Sequence, residues 1–487
     1  MKIDRRQVLA GLGGGALFSP LVARSKTGTV ARVRGANDDI RVAVIGVRSR
    51  GRDHMHGFAR LPGVRVVALC DVDPAMLDSA LADFRKRQPE RAVPDTVLDF
   101  RKLLERADVD AVSIATPNHT HTWIAMHAMA AGKDVYVEKP VSHNLREGEA
   151  LVRAAQKTGR VVQAGTQCRS STGIRAGIDF VHAGKLGAVR VARGLCYKPR
   201  PSIGKVAGEQ PIPQGIDYDL WCGPAEKSPL TRRSLHYDWH WVWSTGNGDL
   251  GNQGIHQMDL CRWAMGVDRL PDAVETIGGR VGYDDDGETP NTMMTVLEYP
   301  SAQLVFEVRG LTQAKGVKEM DRFLGVQIGC VIHCEHGYLV IPDYSRAVAH
   351  DLDGRQIERW EGGGDHYQNF VDAVRARDPQ KLNGPVVDGH LSSALCHLGN
   401  DSQRLAALAA AESIGQRALR CPTMAEGWRR MQDHLIANEV DLAMTPLTAA
   451  ARLELDETGA FRGPLAERAE ELARGTYRAG FELPVIG

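Results

Sequence analysis

Apolar and polar positions fall in alternating blocks along the first third of the chain. Arg41-Val42-Ala43-Val44-Ile45-Gly46 reads as a strand, and Val47-Arg48-Ser49-Arg50-Gly51 leads into a helix-like stretch through Leu61. A second strand over 64–70 ends at Asp71. A third apolar run, 110–116, breaks into the polar loop Pro117-Asn118-His119-Thr120-His121. An amphipathic stretch over 123–131 follows, with Gly132 placed as its C-cap, and then Val135-Tyr136-Val137 stops abruptly at Glu138-Lys139-Pro140. Strand, loop, helix and strand in this order predict right-handed crossovers in a parallel sheet. Further on the pattern changes. Alternating strand-like runs appear at 189–197, 273–281, 292–299, 303–309, 326–334 and 338–341. Strands that follow a βα region predict an α/β domain joined to an α+β domain.

The chemistry collects where the predicted parallel strands end, which is where open α/β sheets bind ligands. Gly46 allows a tight turn after the first strand, and Gly51 lets helix and sheet pack closely, with the helix N-terminus facing a pyrophosphate. Asp71 lies at the distance, about 20 residues on, expected of the acid that holds ribose hydroxyls, and its charge disfavours a 2′-phosphate. This is the βαβ unit of a dinucleotide-binding Rossmann domain, and the cofactor expected is NAD. Arg48 stands where the fingerprint has its second glycine. Either the backbone there keeps further from the pyrophosphate or the guanidinium contacts phosphate itself. Ser49 and Arg50 share that turn. Thr116, Pro117, Asn118 and His121 come to the same edge, as do Glu138 and Lys139, and all are candidate cofactor contacts. A half-sheltered lysine at such an edge exchanges protons nearer neutrality than a free one. Pro140 ends the strand and makes a cis Lys139–Pro140 bond feasible.

Two segments carry a family resemblance. Residues 116–140, TPNHTHTWIAMHAMAAGKDVYVEKP, and residues 246–259, GNGDLGNQGIHQMD, resemble the two motifs of the glucose–fructose oxidoreductase / inositol dehydrogenase / rhizopine catabolism (Gfo/Idh/MocA) family. The resemblance spans roughly 40–410. It implies an NAD-binding domain over 36–165 and an open, mostly antiparallel substrate and oligomerisation domain over 166–420. Residues 421–487 are expected as a helical and extended tail, lying over a neighbouring subunit or its own domain. The resemblance also implies that Lys139 relays the proton of the reacting hydroxyl and that His256 acts as acid or base beside it. Where the family motif has an aspartate one turn before that histidine, this chain has Asn252, which cannot raise imidazole basicity by ion pairing. Asp249 and Asp259 are near enough in sequence to compensate. The plainer alternative for His256 is a structural histidine in a glycine-rich loop. Gly363-Gly364-Asp365-His366, before a helix, is similar to the family's C-terminal region, and the helix expected over 389–405 packs back on the core.

Tyr237-Asp238-Trp239-His240-Trp241-Val242-Trp243 has three tryptophans and a histidine. Aromatic faces of this kind stack on sugar C–H faces. Read as a strand, the segment puts its tryptophans on one side, so it is either a carbohydrate platform or a core strand. Arg169, Tyr197, Lys198, Asp217 and Asp259 are further candidates for hydroxyl contacts.

Charge balance narrows the partners. Lys plus Arg and Asp plus Glu both number 60, and there is no basic patch, which argues against nucleic acid. The 9 cysteines show neither metal-ligand spacing nor a disulfide framework, and Cys330 and Cys334 read as buried strand residues. At the N-terminus, Arg5-Arg6 before Val8-Leu9 and a small, apolar stretch to Ala23 looks like a twin-arginine export signal within residues 1–35, too short and glycine-rich for a stable membrane span. Export of a folded protein to a compartment without free nicotinamide cofactor requires the NAD to travel bound and to be recycled in place. Three readings meet that requirement. One is an oxidoreductase acting on a sugar or cyclitol hydroxyl with a second carbonyl substrate. Another is an NAD-dependent glycosidase working by oxidation, elimination, addition and reduction. The third is a sugar-binding protein that keeps NAD as a structural ligand.

Overall fold

The computed structural model describes residues 39–449 and 451–486. The twin-arginine segment lies outside the described residues.

Six strands form the first sheet: β1 (Ile40–Ile45), β2 (Val64–Cys70), β3 (Asp95–Val97), β4 (Ala111–Ile114), β5 (Asp134–Val137) and β6 (Val162–Ala164). They lie in the order β3-β2-β1-β4-β5-β6 and every pairing is parallel. Burial on both faces explains why β4 and β5 read as unbroken apolar runs. The strand order reverses between β1 and β4, opening a crevice at their carboxyl ends. Helix N-termini around it are locally specified. Asp73 accepts the N–H groups of Ala75 and Met76 to start the helix Pro74–Arg87, and Asn144 accepts that of Glu147 to start Leu145–Thr158. The expected C-cap glycine, Gly132, has φ +75°, directly after the helix His121–Ala130.

The second sheet begins with β7 (Val189–Cys196), β8 (Ala273–Gly279), β9 (Thr292–Glu298) and β10 (Gln303–Arg309). It continues with β11 (Ile328–Cys334), β12 (Gly337–Ile341), β13 (Arg346–His350) and β14 (Gln356–Glu361). The central order is β14-β13-β12-β11-β7-β10-β9-β8. Only β7 and β10 pair in parallel among these. One face packs on the helices Gly254–Met265 and Val386–Leu405 through Phe306, Met258 and Leu395. Both motif segments thereby meet at the sheet junction.

The 421–487 stretch is not a separate tail. The helix Pro422–Ala437 lays Trp428, Met431 and Leu435 against Met294 and Val305 on the other face of the second sheet. Leu447–Ala449 and Leu453–Leu455 pair with β8. Beyond the helix Ala466–Arg474, the side chains of Phe481, Leu483 and Ile486 rest on the chain's own first-domain core. These segments therefore lie over the chain's own two domains. The Trp239–Trp243 strand is also corrected. Asp238–Trp241 is a 3₁₀ turn entered through Tyr237 at φ +71°, so its side chains fan out instead of alternating.

Close packing at the first turn supplies a test. A Cβ on Gly51 would lie 1.8 Å from the Gly46 carbonyl oxygen. Gly51→Ala is expected to destabilise the protein by about 1–3 kcal/mol and to weaken NAD binding, measured by denaturant unfolding and cofactor titration.

Candidate active site

The crevice is a cleft of about 300 Å³ running from Asp71 past Gly46 to Lys139 and Asn252. Gly46 sits at φ +82°, where an added Cβ would meet Ala115 backbone at 2.7 Å, so only glycine turns the chain here. At the far end the Asp71 carboxylate accepts the Val47 N–H at 2.9 Å and the Asp73 N–H at 3.1 Å. Burial pushes its pKa up from the ordinary value, and these two donors oppose that shift. Asp71 lines the cleft, where ribose hydroxyls are held in this fold. Arg48 and Ser49 are exposed at the lip, and Ser49 is held at φ +32°. Arg50 lines the cleft as well, and its guanidinium is engaged. Its Nε donates to Glu138 at 2.8 Å and its Nη1 to Asp53 at 3.2 Å, so the guanidinium braces a carboxylate instead of standing free for phosphate.

Glu138 is the hub of the other end. Its Oε1 accepts from Arg50, from His54 Nε2 at 3.0 Å and from Gln167 at 2.9 Å, while Oε2 accepts the Lys139 N–H at 3.1 Å. Burial works against the charge, but Arg50 and His54 hold the carboxyl well below its usual range. Because a carboxylate only accepts, His54 carries its proton on Nε2, and its Nδ1 accepts from Ser113 Oγ at 2.7 Å. Sequence reasoning missed His54. Its one signal was an inward-facing position one turn into the first helix.

Lys139 follows through a cis bond to Pro140 and donates its Nζ to the backbone carbonyl of Asn252 at 2.6 Å. Burial lowers its pKa from 10.5, and the Glu138 charge pulls it back up. Asn252 therefore serves the lysine with its backbone. His256, one turn further on, lies behind the cleft with its ring 5.3 Å from that of Tyr344. Burial, then Lys139, drives its pKa down to about 3, so it is a neutral imidazole at ordinary pH. The Asp259 charge favours its protonation only weakly against these, and both candidate aspartates are hydrogen-bonded elsewhere. Asp249 pairs with Arg200 at 2.5 Å, and Asp259 accepts from Arg169 at 2.8 Å and from Ser392 at 2.7 Å.

Thr116 and Pro117 line the cleft. Asn118 donates to Asn247 Oδ1 at 2.7 Å, joining the two domains. His121 also borders the cleft, but its ring is a brace, with Nδ1 2.7 Å from the Pro140 carbonyl and Nε2 2.8 Å from that of Thr116. Opposite, Tyr237, Trp239 and His240 come from the 3₁₀ segment, and the Trp239 and His240 rings stack at 3.6 Å. Trp241 is buried beneath them with Arg200 over its ring at 5.3 Å. His236 Nε2 reaches across to Asp73 at 2.8 Å.

The other expected substrate contacts lie elsewhere. Arg169 is buried between Asp259 and Asp388, and Tyr197 donates to Glu307 at 2.7 Å within the second sheet, so both are spent on structural pairing. Asp217 caps the helix Tyr218–Cys222 by accepting the Leu220 N–H at 2.9 Å. Lys198 is not among the residues lining the cleft.

A parallel sheet in this order, an acid at the end of β2 and a sheltered lysine at the end of β5, faced by a second sheet domain, define a two-domain NAD-binding oxidoreductase fold. Residues 40–166 match the NAD-binding Rossmann fold of the Gfo/Idh/MocA oxidoreductase family and residues 188–288 match that family's C-terminal alpha/beta domain. Among curated relatives, a glycosyl hydrolase family 109 protein of Shewanella sp. (strain W3-18-1) is 38% identical over 124 residues, 25% of this chain and 27% of that one. Another, of Shewanella pealeana, is 31% identical over 173 residues, 32% of this chain and 38% of the relative. The chain thus spans well under half of these relatives' length. Among solved structures, the WlbA dehydrogenase from Bordetella pertussis, in complex with NADH and UDP-GlcNAcA, superposes with a TM-score of 0.56 at 19% identity, covering 76% of this chain and 96% of that one. Levoglucosan dehydrogenase, in complex with NADH and levoglucosan, gives a TM-score of 0.56 at 18% identity, covering 74% and 96%. At these identities the likeness is one of fold.

Two outcomes test the site. Asp71→Ala is expected to narrow the preference for NAD over NADP about tenfold or more by removing repulsion of the 2′-phosphate, read from binding constants for the two cofactors. If neutral Lys139 accepts the substrate proton, kcat/KM for oxidation rises with pH, with an inflection below 10.5. Glu138→Gln removes the charge that favours the ammonium, so the inflection moves further down, whereas Lys139→Met lowers the rate by about 10²–10⁴ and abolishes it. A profile unchanged by Glu138→Gln would show that Lys139 is not the titrating group.

Proposed function

We propose that the protein oxidises a ring hydroxyl of a sugar or cyclitol and that its NAD stays bound and is recycled in place by reduction of a second, carbonyl substrate to its alcohol. The observation that carries this reading is the sheltered Lys139 ammonium, anchored on the Asn252 carbonyl at 2.6 Å, with the Trp239–His240 stack lining the same cleft. Asp71 would hold the ribose, the turn over 46–51 would receive the pyrophosphate, and Thr116–Asn118 with Lys139 would border the nicotinamide, which would supply the hydride acceptor. Lys139, in its neutral form, would take the proton of the reacting hydroxyl, and the resulting ammonium would then donate to the carbonyl oxygen. Neutral His256 suits a hydrogen-bonding role beside the lysine and is too weak a base to lead. Trp239 and His240 offer an aromatic face for a sugar ring and limit access of water.

The same reading includes export to the periplasm by the twin-arginine route and assembly into a homo-oligomer through the second sheet. The helix Pro422–Ala437 already covers β8–β10, which leaves the β11–β14 end for such a contact. Cofactor retention is supported by the His236–Asp73 pair, which ties the segment opposite the cleft to the first domain.

A second reading is favoured by the names of the glycosyl hydrolase family 109 relatives. Here transient oxidation acidifies the neighbouring C–H, elimination breaks the glycosidic bond, water adds, and the ketone is reduced again. The first step uses the same lysine.

One experiment separates them. Protein purified without added cofactor is analysed for released nucleotide, then incubated in D₂O with sugars and aryl glycosides. Bound NAD, many turnovers without net NADH and paired oxidised and reduced products are expected for the oxidoreductase. Phenol release with deuterium at the carbon beside the oxidised centre identifies the hydrolase. Protein that neither carries nor takes up NAD overturns both.

A further inference from the structure

Behind the cofactor cleft lies a second cavity, of about 250 Å³. The short turn Asn118–Thr120 stands between them, with Asn118 and Thr120 lining the cleft and His119 lining the cavity. Besides His119, its walls come from the start of the helix Leu145–Thr158 and the residues just before it, the segments 224–226 and 243–247, the second half of Val386–Leu405, and the end of Ala466–Arg474 with the two residues that follow.

Most polar groups in the walls are committed to the fold. Glu147 accepts the His143 N–H at 2.7 Å and the Tyr477 hydroxyl at 3.2 Å. Asn247 accepts from Asn118, and its carbonyl takes the Asn400 amide at 3.0 Å. His143 and His397 use Nε2 on the Trp243 carbonyl and on Ser142. Asp401 differs. It is 5% exposed and lines the cavity, and among the described residues nothing hydrogen-bonds its carboxylate. Arg404, one turn along the same helix, stands 4.0 Å away, beyond hydrogen-bonding reach, with its guanidinium over the Trp243 ring. Burial pushes the Asp401 carboxyl up to about 7, with Arg404 opposing. An acid buried to this degree without a donor is costly unless something in the cavity hydrogen-bonds it.

An acceptor and a fork of donors set slightly too far apart to bond each other match a vicinal diol. One hydroxyl donates to the carboxylate, the neighbouring oxygen accepts from the guanidinium, and Asn400 Oδ1 remains for the rest of the molecule. We propose that this cavity is a second, non-catalytic binding site for the vicinal diol of a monosaccharide-sized polyol, with Asp401 and Arg404 as its recognition pair. The site takes the same chemical class as the cleft and is walled from it by the Asn118–Asn247 contact.

The test uses NAD-loaded full-length protein and saturation-transfer NMR, with glucose and myo-inositol as probes. Expected is saturable transfer that survives Lys139→Met combined with Trp239→Ala in the cleft. Asp401→Asn is expected to weaken it about tenfold or more, the loss of one charge-assisted hydrogen bond. Arg404→Gln, at a more exposed position, gives the same readout should Asp401→Asn fail to fold. No saturable transfer in the parent protein, transfer lost with the cleft variant alone, or transfer unaffected by both cavity variants overturns the proposal. None of these three results depends on turnover, so they stand apart from any failure of the catalytic reading.

Discussion

A carboxylate sealed at the end of a parallel strand must keep its charge against the loss of hydration, and the first domain is organised around doing so for Glu138. Burying an unpaired carboxylate costs several kcal/mol, and removing one partner of a buried pair costs about 3–5 kcal/mol. Arg50, His54, Gln167 and the Lys139 N–H together satisfy both oxygens. Space for the group is also reserved, since a Cβ on Gly165 would lie 2.7 Å from Oε1. These partners come from the first helix, from the turn after β6 and from β5 itself. Glu138 thus ties the turn over 46–51 to the end of β5, and its charge opposes the burial that lowers the Lys139 pKa. The ends of the cleft are coupled through one buried charge.

Much of this was legible because a sheet buried on both faces writes itself as apolar runs, and the residues at their ends stand out as chemistry. Gly46, Asp71, Asn118 and Lys139 were readable in that way. Arg169 and Tyr197 were not. Both looked like ligand contacts because a lone buried arginine or tyrosine has no visible partner in sequence, and their partners Asp259 and Glu307 lie 90 and 110 residues away. The tryptophan segment misled for another reason. Alternation of large aromatics suits a strand, but Tyr237 in left-handed backbone turns the chain before a strand can form. Helix was expected after residue 420; its packing on the second sheet could also have been read from Trp428, Met431 and Leu435, whose spacing marks one helix face.

Asn252 shows why residue identity and residue function need not coincide. An amide at that position seemed to weaken the site, since it cannot polarise His256. In the structure the group that reaches Lys139 is the backbone carbonyl. A carbonyl is present whatever the side chain, so the lysine keeps its anchor. What an amide forfeits is influence over His256, whose neutrality is already imposed by burial and by Lys139. The demands of the site shift from an ion pair on the histidine to the field around the lysine.

The junction between the domains follows the same logic of polar contacts over apolar support. His236 meets Asp73 at the adenosine end, Asn118 meets Asn247 in the middle, and Lys139 meets Asn252 at the reacting end. The C-terminal segment adds a strap from outside. Arg478 donates to the Gly223 carbonyl and pairs with Asp219, while Phe481 packs on Trp123, whose own ring borders the cleft. Opening the cleft would therefore require several hydrogen bonds at separate points to break together, along with an aromatic contact. The two walls of the cleft are thus held together at both ends and from behind.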